Sequence, residues 1–135
     1  MPTPTLYSVP MRSSRIAALA FAADAVAVVV FAAIGRASHG ESDDVLGLVG
    51  TAAPFLIGLA AAWVTPVVRR HPTGWGAGLA VLGGAWLIGL ALRAGFTNSV
   101  PLIFAVISLV SLGVLILGWR ALSLAVAHRA GQRVL

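Results

Sequence analysis

Four stretches of the chain, residues 16–35, 45–68, 75–94 and 100–122, are apolar over the length a helix needs to cross a bilayer, which is roughly 20 residues at the helical rise. A backbone in hydrocarbon must satisfy its own hydrogen bonds, so such stretches fold as helices and pack against one another. Only 10% of the 135 residues are charged and 59% are hydrophobic, where a soluble domain carries about 25% charged residues. The expected fold is therefore all-α: a polytopic membrane protein with four transmembrane helices in a compact bundle. Residues 1–15 read as a leader, 16–122 as the transmembrane domain and 123–135 as a tail, with no room for a separate soluble domain.

The first run carries one carboxylate, Asp24, and ends in the polar cluster Gly35-Arg36-Ala37-Ser38-His39-Gly40-Glu41. A charge inside a membrane helix is expensive and is normally turned toward the bundle interior. On the helical rise, Asp24 lies ~16 Å below the outer end of its helix, and Pro54, Trp86, Ser108 and Ser111 come to similar depths, ~12–16 Å. These positions predict a midplane layer in which Asp24 meets neutral partners: the Gly50 carbonyl freed by Pro54, a serine hydroxyl, or water. Asp24, Trp86, Ser108 and Ser111 are the candidate ligand- or proton-handling residues. The competing structural reading of Asp24 is an interhelical hydrogen bond that holds the bundle together.

The second and third runs are rich in small residues. Gly50, Pro54 and Gly58 recur at four-residue spacing in one, and the other holds six glycines between residues 74 and 89. In lipid such rows let helix backbones approach closely. Pro66 marks the end of the second run, because proline has no amide hydrogen and restricts the residue before it.

All nine basic residues other than histidine are arginines, and they flank the apolar runs. Arg12, Arg15, Arg69, Arg70, Arg120, Arg129 and Arg133 fall on one side, and Arg36 and Arg93 on the other. This bias predicts that both termini are cytoplasmic. Trp63, Trp75 and Trp119 lie near the same ends, as an interfacial aromatic belt would, and Trp86 alone is deep. Placed this way, the arginines determine topology and do not form a nucleic-acid surface.

On the opposite side Arg36, His39, Glu41 and Arg93 form an outer polar cap, with Arg93 expected to snorkel outward. One histidine beside loosely spaced carboxylates falls short of a metal-ligand set. No metal or cofactor is expected, and the absence of cysteine excludes thiolate sites. The sequence has no phosphate-cradling glycine loop, no nucleophile elbow and no paired metal-ligating histidines, so the expected class is non-enzymatic.

The string Phe31-Ala-Ala-Ile-Gly35-Arg36-Ala-Ser38-His39-Gly40 resembles a signature of small prokaryotic membrane proteins, the domain of unknown function 3054 family. Asp24, Pro54-Phe55 with Gly58, Leu92-Arg93 and Gly118-Trp119-Arg120 are similar to its other landmarks. The resemblance covers most of residues 16–122 and implies a multi-pass protein of the prokaryotic plasma membrane, without an assigned activity.

Three functions follow as expectations. The first is an accessory subunit or homo-oligomer working through helix contacts, with membrane lipids and a larger membrane complex as partners. The second is a small proton-linked transporter using Asp24, similar in outline to small multidrug-resistance transporters. The third is binding of a lipid or envelope ligand at the Arg36/His39/Arg93 cap.

Overall fold

A computed structural model describes residues 5–38, 44–98 and 100–134. The described residues are almost entirely helical: α1 (Thr5–Ser38), α2 (Val45–Val64), α3 (Pro66–Arg70), α4 (Trp75–Thr97) and α5 (Leu102–Val134). Four of them hold segments long and apolar enough to cross a membrane, namely Ser14–Ala37, Val45–Val64, Trp75–Thr97 and Leu102–Arg129. The helices run alternately up and down and form a closed ring, in which α1 neighbours α2, α2 neighbours α4, α4 neighbours α5, and α5 returns to α1. The expectations for His39 and Glu41 lie outside the described residues.

Helix boundaries follow local chemistry. Asp44 caps α2, its carboxylate accepting from the Gly47 amide at 2.8 Å. Such a cap satisfies one of the donors that a helix start leaves open. At the other end Pro66 holds Thr65 in an extended conformation (ψ 145°), which ends α2 at Val64, four residues before the expected limit of the second run. The Thr65 hydroxyl donates to the Ala62 carbonyl at 2.6 Å, and Pro66 opens α3, where its missing amide hydrogen costs nothing. Asn98 closes α4 in the left-handed conformation (φ 64°), its amide bonded to the Ala94 carbonyl, as asparagine can do at a helix end.

The two outer helices are longer than the apolar runs that predict them. α1 takes in residues 5–15, which the sequence reading leaves to a leader, and α5 takes in 123–134, read as a tail. Pro10, in the second turn of α1, removes one intrahelical donor without ending the helix.

The core is built from rows at helical spacing. On α4 Ala77, Val81, Ala85 and Gly89 recur every four residues and face α2, and on α5 Ser108, Leu112, Ile116 and Arg120 also recur every four residues and are all fully buried. α2 and α4 come closest. A Cβ at Gly58 would lie 2.6 Å from the Gly84 carbonyl oxygen and 3.0 Å from the Ala85 Cα, and one at Gly84 would lie 2.8 Å from the Ala62 Cβ. Pro54 and Phe55 are buried beside this contact, and Gly89 is vacant of a side chain where the Phe55 ring lies. Gly50, at the head of the same sequence row, faces open space.

Candidate functional site

Two polar centres occupy opposite ends of the bundle. The first is built on Asp24, which is fully buried. Its carboxylate receives four hydrogen bonds from three residues on two helices, α2 and α5. Arg120 Nη1 donates to Oδ1 at 2.7 Å and Arg120 Nη2 to Oδ2 at 2.9 Å, and Trp119 Nε1 donates to Oδ1 at 2.8 Å and Trp63 Nε1 to Oδ2 at 3.0 Å. The fork of a guanidinium matches a carboxylate edge-on, and every partner is a donor, as an acceptor-only group requires.

Arg120 is itself fully buried. Its remaining donors go to backbone carbonyls, Nε to Pro72 at 3.1 Å and Nη1 also to Ile116 at 3.3 Å. Its guanidinium carbon lies 4.3 Å from the centre of the Trp119 ring. Gly78 makes room for this side chain, since a Cβ there would lie 2.9 Å from Arg120 Cδ. The centre thus joins α1 to α5 through one ion pair, and α2 and the turn before α4 to that pair through hydrogen bonds.

This arrangement corrects several sequence expectations. Asp24 is paired with a cation, which the reading of its level did not supply, because Arg120 was counted with the terminal arginines. Trp63 and Trp119, expected in an interfacial belt, turn inward. The single midplane layer divides in two. Trp86 donates to the Ala105 carbonyl at 2.9 Å and to Ser108 Oγ at 3.2 Å, and the Ser108 hydroxyl donates to Ala105 at 3.0 Å. None of these groups touches Asp24. Ser108 lies twelve residues above Arg120 on α5, ~18 Å along the helix. Ser111 is half-buried and stays apart from the Asp24 centre.

The second centre surrounds a cavity of about 420 Å³ near the end where α1 meets α2 and α4 meets α5. Arg36 and Arg93 are its two charged walls, with Thr51, Thr97 and Ser108 as polar lining. Phe31, Ala32, Ile103, Phe104 and Ile107 supply apolar surface, and among the described residues no carboxylate lines it. Arg36 Nη1 donates to Thr51 Oγ1 at 3.1 Å, and Nη2 lies 3.5 Å from the half-exposed carboxylate of Asp44. Gly47 leaves the space that this guanidinium occupies.

Arg93 differs. Its guanidinium carbon stacks 4.5 Å from the Phe104 ring centre, and among the described residues it makes no hydrogen bond or ion pair. The outward snorkelling expected from its place near the end of α4 is replaced by an inward lean across the cavity to α5. Thr97 anchors the turn beside it, donating to the Arg93 carbonyl at 2.8 Å.

A family model described as a protein of unknown function, DUF3054, matches residues 21–123. The chain belongs to the DUF3054 family. No curated protein and no solved structure matches it significantly. The matched residues contain both centres whole: Asp24, Trp63, Trp119 and Arg120 at one end, Arg36, Thr51 and Arg93 at the other. This DUF3054 chain thus has one polar centre whose groups satisfy one another, and one whose charge faces a cavity.

The sequence signal for Arg120 is its phase. It continues the row Ser108, Leu112, Ile116 at four-residue steps, and Ser108 is a deep polar position on any reading of α5. Asp44 had a comparable signal, as an acidic residue directly before an apolar run, where helix caps are expected.

Proposed function

We propose that this DUF3054 protein is a non-enzymatic, multi-pass protein of the prokaryotic plasma membrane that binds an anionic group, a phosphate or carboxylate, in the Arg36–Arg93 cavity. The observation that carries the reading is Arg93, a guanidinium without an acidic partner among the described residues, leaning into a cavity with a second guanidinium on its wall. Arginine is the side chain of choice for such anions because its planar fork offers several donors at once. The cavity volume of about 420 Å³ lies within the ~300–1,000 Å³ usual for ligand sites, and its apolar walls with a few convergent polar groups are typical of them. The start of α5, which forms part of the wall, adds the positive end of a helix dipole.

Both termini are cytoplasmic in this reading, which places the cavity at the outer leaflet. Withdrawing Arg120 into its ion pair leaves six arginines on the inner side against two on the outer, so the sign of the bias is unchanged. The four donors held by Asp24 favour a structural role for that carboxylate over proton-linked transport. The protein works as a binding subunit, alone or within a homo-oligomer or larger membrane complex.

The test is ligand-dependent stabilisation of the purified protein in neutral detergent. A ligand that binds only the folded state at a hundred times its Kd adds about 2.7 kcal/mol. Phosphatidylglycerol or pyrophosphate should raise the melting midpoint by several degrees, and phosphatidylcholine should not. In Arg93→Gln the affinity should fall at least tenfold, and in the Arg36→Gln/Arg93→Gln pair the shift should vanish. Equal stabilisation of wild type and the double variant would remove the cavity from consideration.

A further inference from the structure

The cavity has an apolar opening as well as a charged wall. Ile103 and Ile107 line it and yet are 71% and 51% exposed on the outside of α5. Across from them on α1 stands Gly35, also lining the cavity, where a Cβ would meet nothing within 4 Å. Gly35 on α1 and the two isoleucines on α5 thus leave accessible apolar edges on the cavity. Behind them, Phe31 and Ala32 are buried and close the cavity.

The heights agree with a lipid. Arg93 lies four residues from the end of α4 and Arg36 two from the end of α1, ~6 and ~3 Å along their helices. Ile107 lies five residues into α5, ~8 Å from its start, deeper along its helix than either arginine. A phosphate held between the two guanidiniums would leave its ester oxygen facing the Gly35–Ile107 seam, with apolar surface beyond it. Among the described residues no carboxylate lines the cavity to receive a headgroup ammonium, which favours a net-anionic headgroup over a zwitterionic one.

We infer that the occupant of the Arg36–Arg93 cavity is an anionic phospholipid that enters sideways through the α1–α5 seam at Gly35, Ile103 and Ile107, its phosphate on the arginines and one acyl chain over the isoleucines. This inference rests on the anion-binding reading and adds the source of the anion and its path. Gly35 is a positioning feature here: its missing side chain is the doorway.

The experiment compares dioleoyl-phosphatidylglycerol, dihexanoyl-phosphatidylglycerol and pyrophosphate on the full chain, by native mass spectrometry from one detergent. In wild type the dioleoyl lipid should bind at least tenfold more tightly than the dihexanoyl lipid, because only the longer chain covers the isoleucine surface. Gly35→Trp fills the seam and should weaken the dioleoyl lipid at least tenfold while leaving pyrophosphate within twofold. Gly35→Ala, with open space around it, should match wild type. Arg93→Gln should weaken all three probes.

Pyrophosphate bound as tightly as the lipid and unaffected by chain length would overturn sideways lipid entry and leave anion binding standing. Failure of all three probes to bind wild type would overturn both readings. If Gly35→Trp melts at a lower temperature than wild type, the chain-length series on wild type decides the matter alone.

Discussion

Asp24→Ala should lower the stability of the bundle by about 3–5 kcal/mol, the usual cost of removing one partner from a buried ion pair. The loss is large because of what remains. Arg120 stays enclosed with its guanidinium charge, and the Trp63 and Trp119 indoles lose their shared acceptor. Asp24→Asn keeps an acceptor oxygen but surrenders the charge and one edge of the fork, and should fall between wild type and alanine. The pair Asp24→Leu/Arg120→Met should recover most of the loss, since well-packed apolar groups often replace a buried pair at little cost. Unfolding in mixed micelles of increasing denaturing-detergent fraction gives the comparison. An alanine variant with the wild-type midpoint would show that the pair contributes nothing, and a double variant worse than either single change would show that apolar packing cannot replace the pair.

The second large effect lies on the α2–α4 seam. Gly58→Val should destabilise by about 1–3 kcal/mol or more, as overpacking does in a filled core. The obstacle is backbone, the Gly84 carbonyl and the Ala85 Cα, which cannot swing aside as a side chain can. Relief requires moving one helix away from the other, and that movement unseats Phe55 from the space at Gly89 as well. Gly58→Ala should already show much of the effect. Gly83 provides the control: it is next to Gly84 in sequence but has nothing within 4 Å of its missing Cβ. Gly83→Ala should therefore be neutral or gain up to about 1 kcal/mol from helix propensity. The same detergent titration reads all three variants, and indifference at Gly58 would mean that the two backbones do not approach as described.

Hydropathy and length made the four spans legible, because in lipid an apolar run of that length has few other folds open to it. Asp24 was legible as an inward polar group for the same reason. Its partner was not. Arg120 ends an apolar run, where arginines ordinarily anchor to headgroups, and counting charge by side of the membrane treats such a residue as external. Its phase with Ser108, Leu112 and Ile116 points the other way, and the structure follows the phase. Trp63 and Trp119 were ambiguous in principle: an indole near a helix end suits an interface or an inward hydrogen bond equally. Depth counted along each helix placed Asp24 beside Ser108 and Trp86, because it measured Cα height and ignored the reach of Arg120 and the two indoles. Arg93 depended on a rotamer that packs it on Phe104, and periodicity carries no information about that choice.

The ion pair also has a timetable. Asp24 and Arg120 are 96 residues apart, on α1 and α5. At a synthesis rate of ~5–20 residues per second, the carboxylate waits about 5–20 s for its guanidinium. During that time α1 enters the membrane carrying a group whose insertion alone costs about 3 kcal/mol. Only α5 brings the compensating charge, and it brings Trp119 at the same moment. Insertion of α5 and closure of the ring therefore coincide, and until then the Asp24 carboxylate is without the guanidinium that answers it.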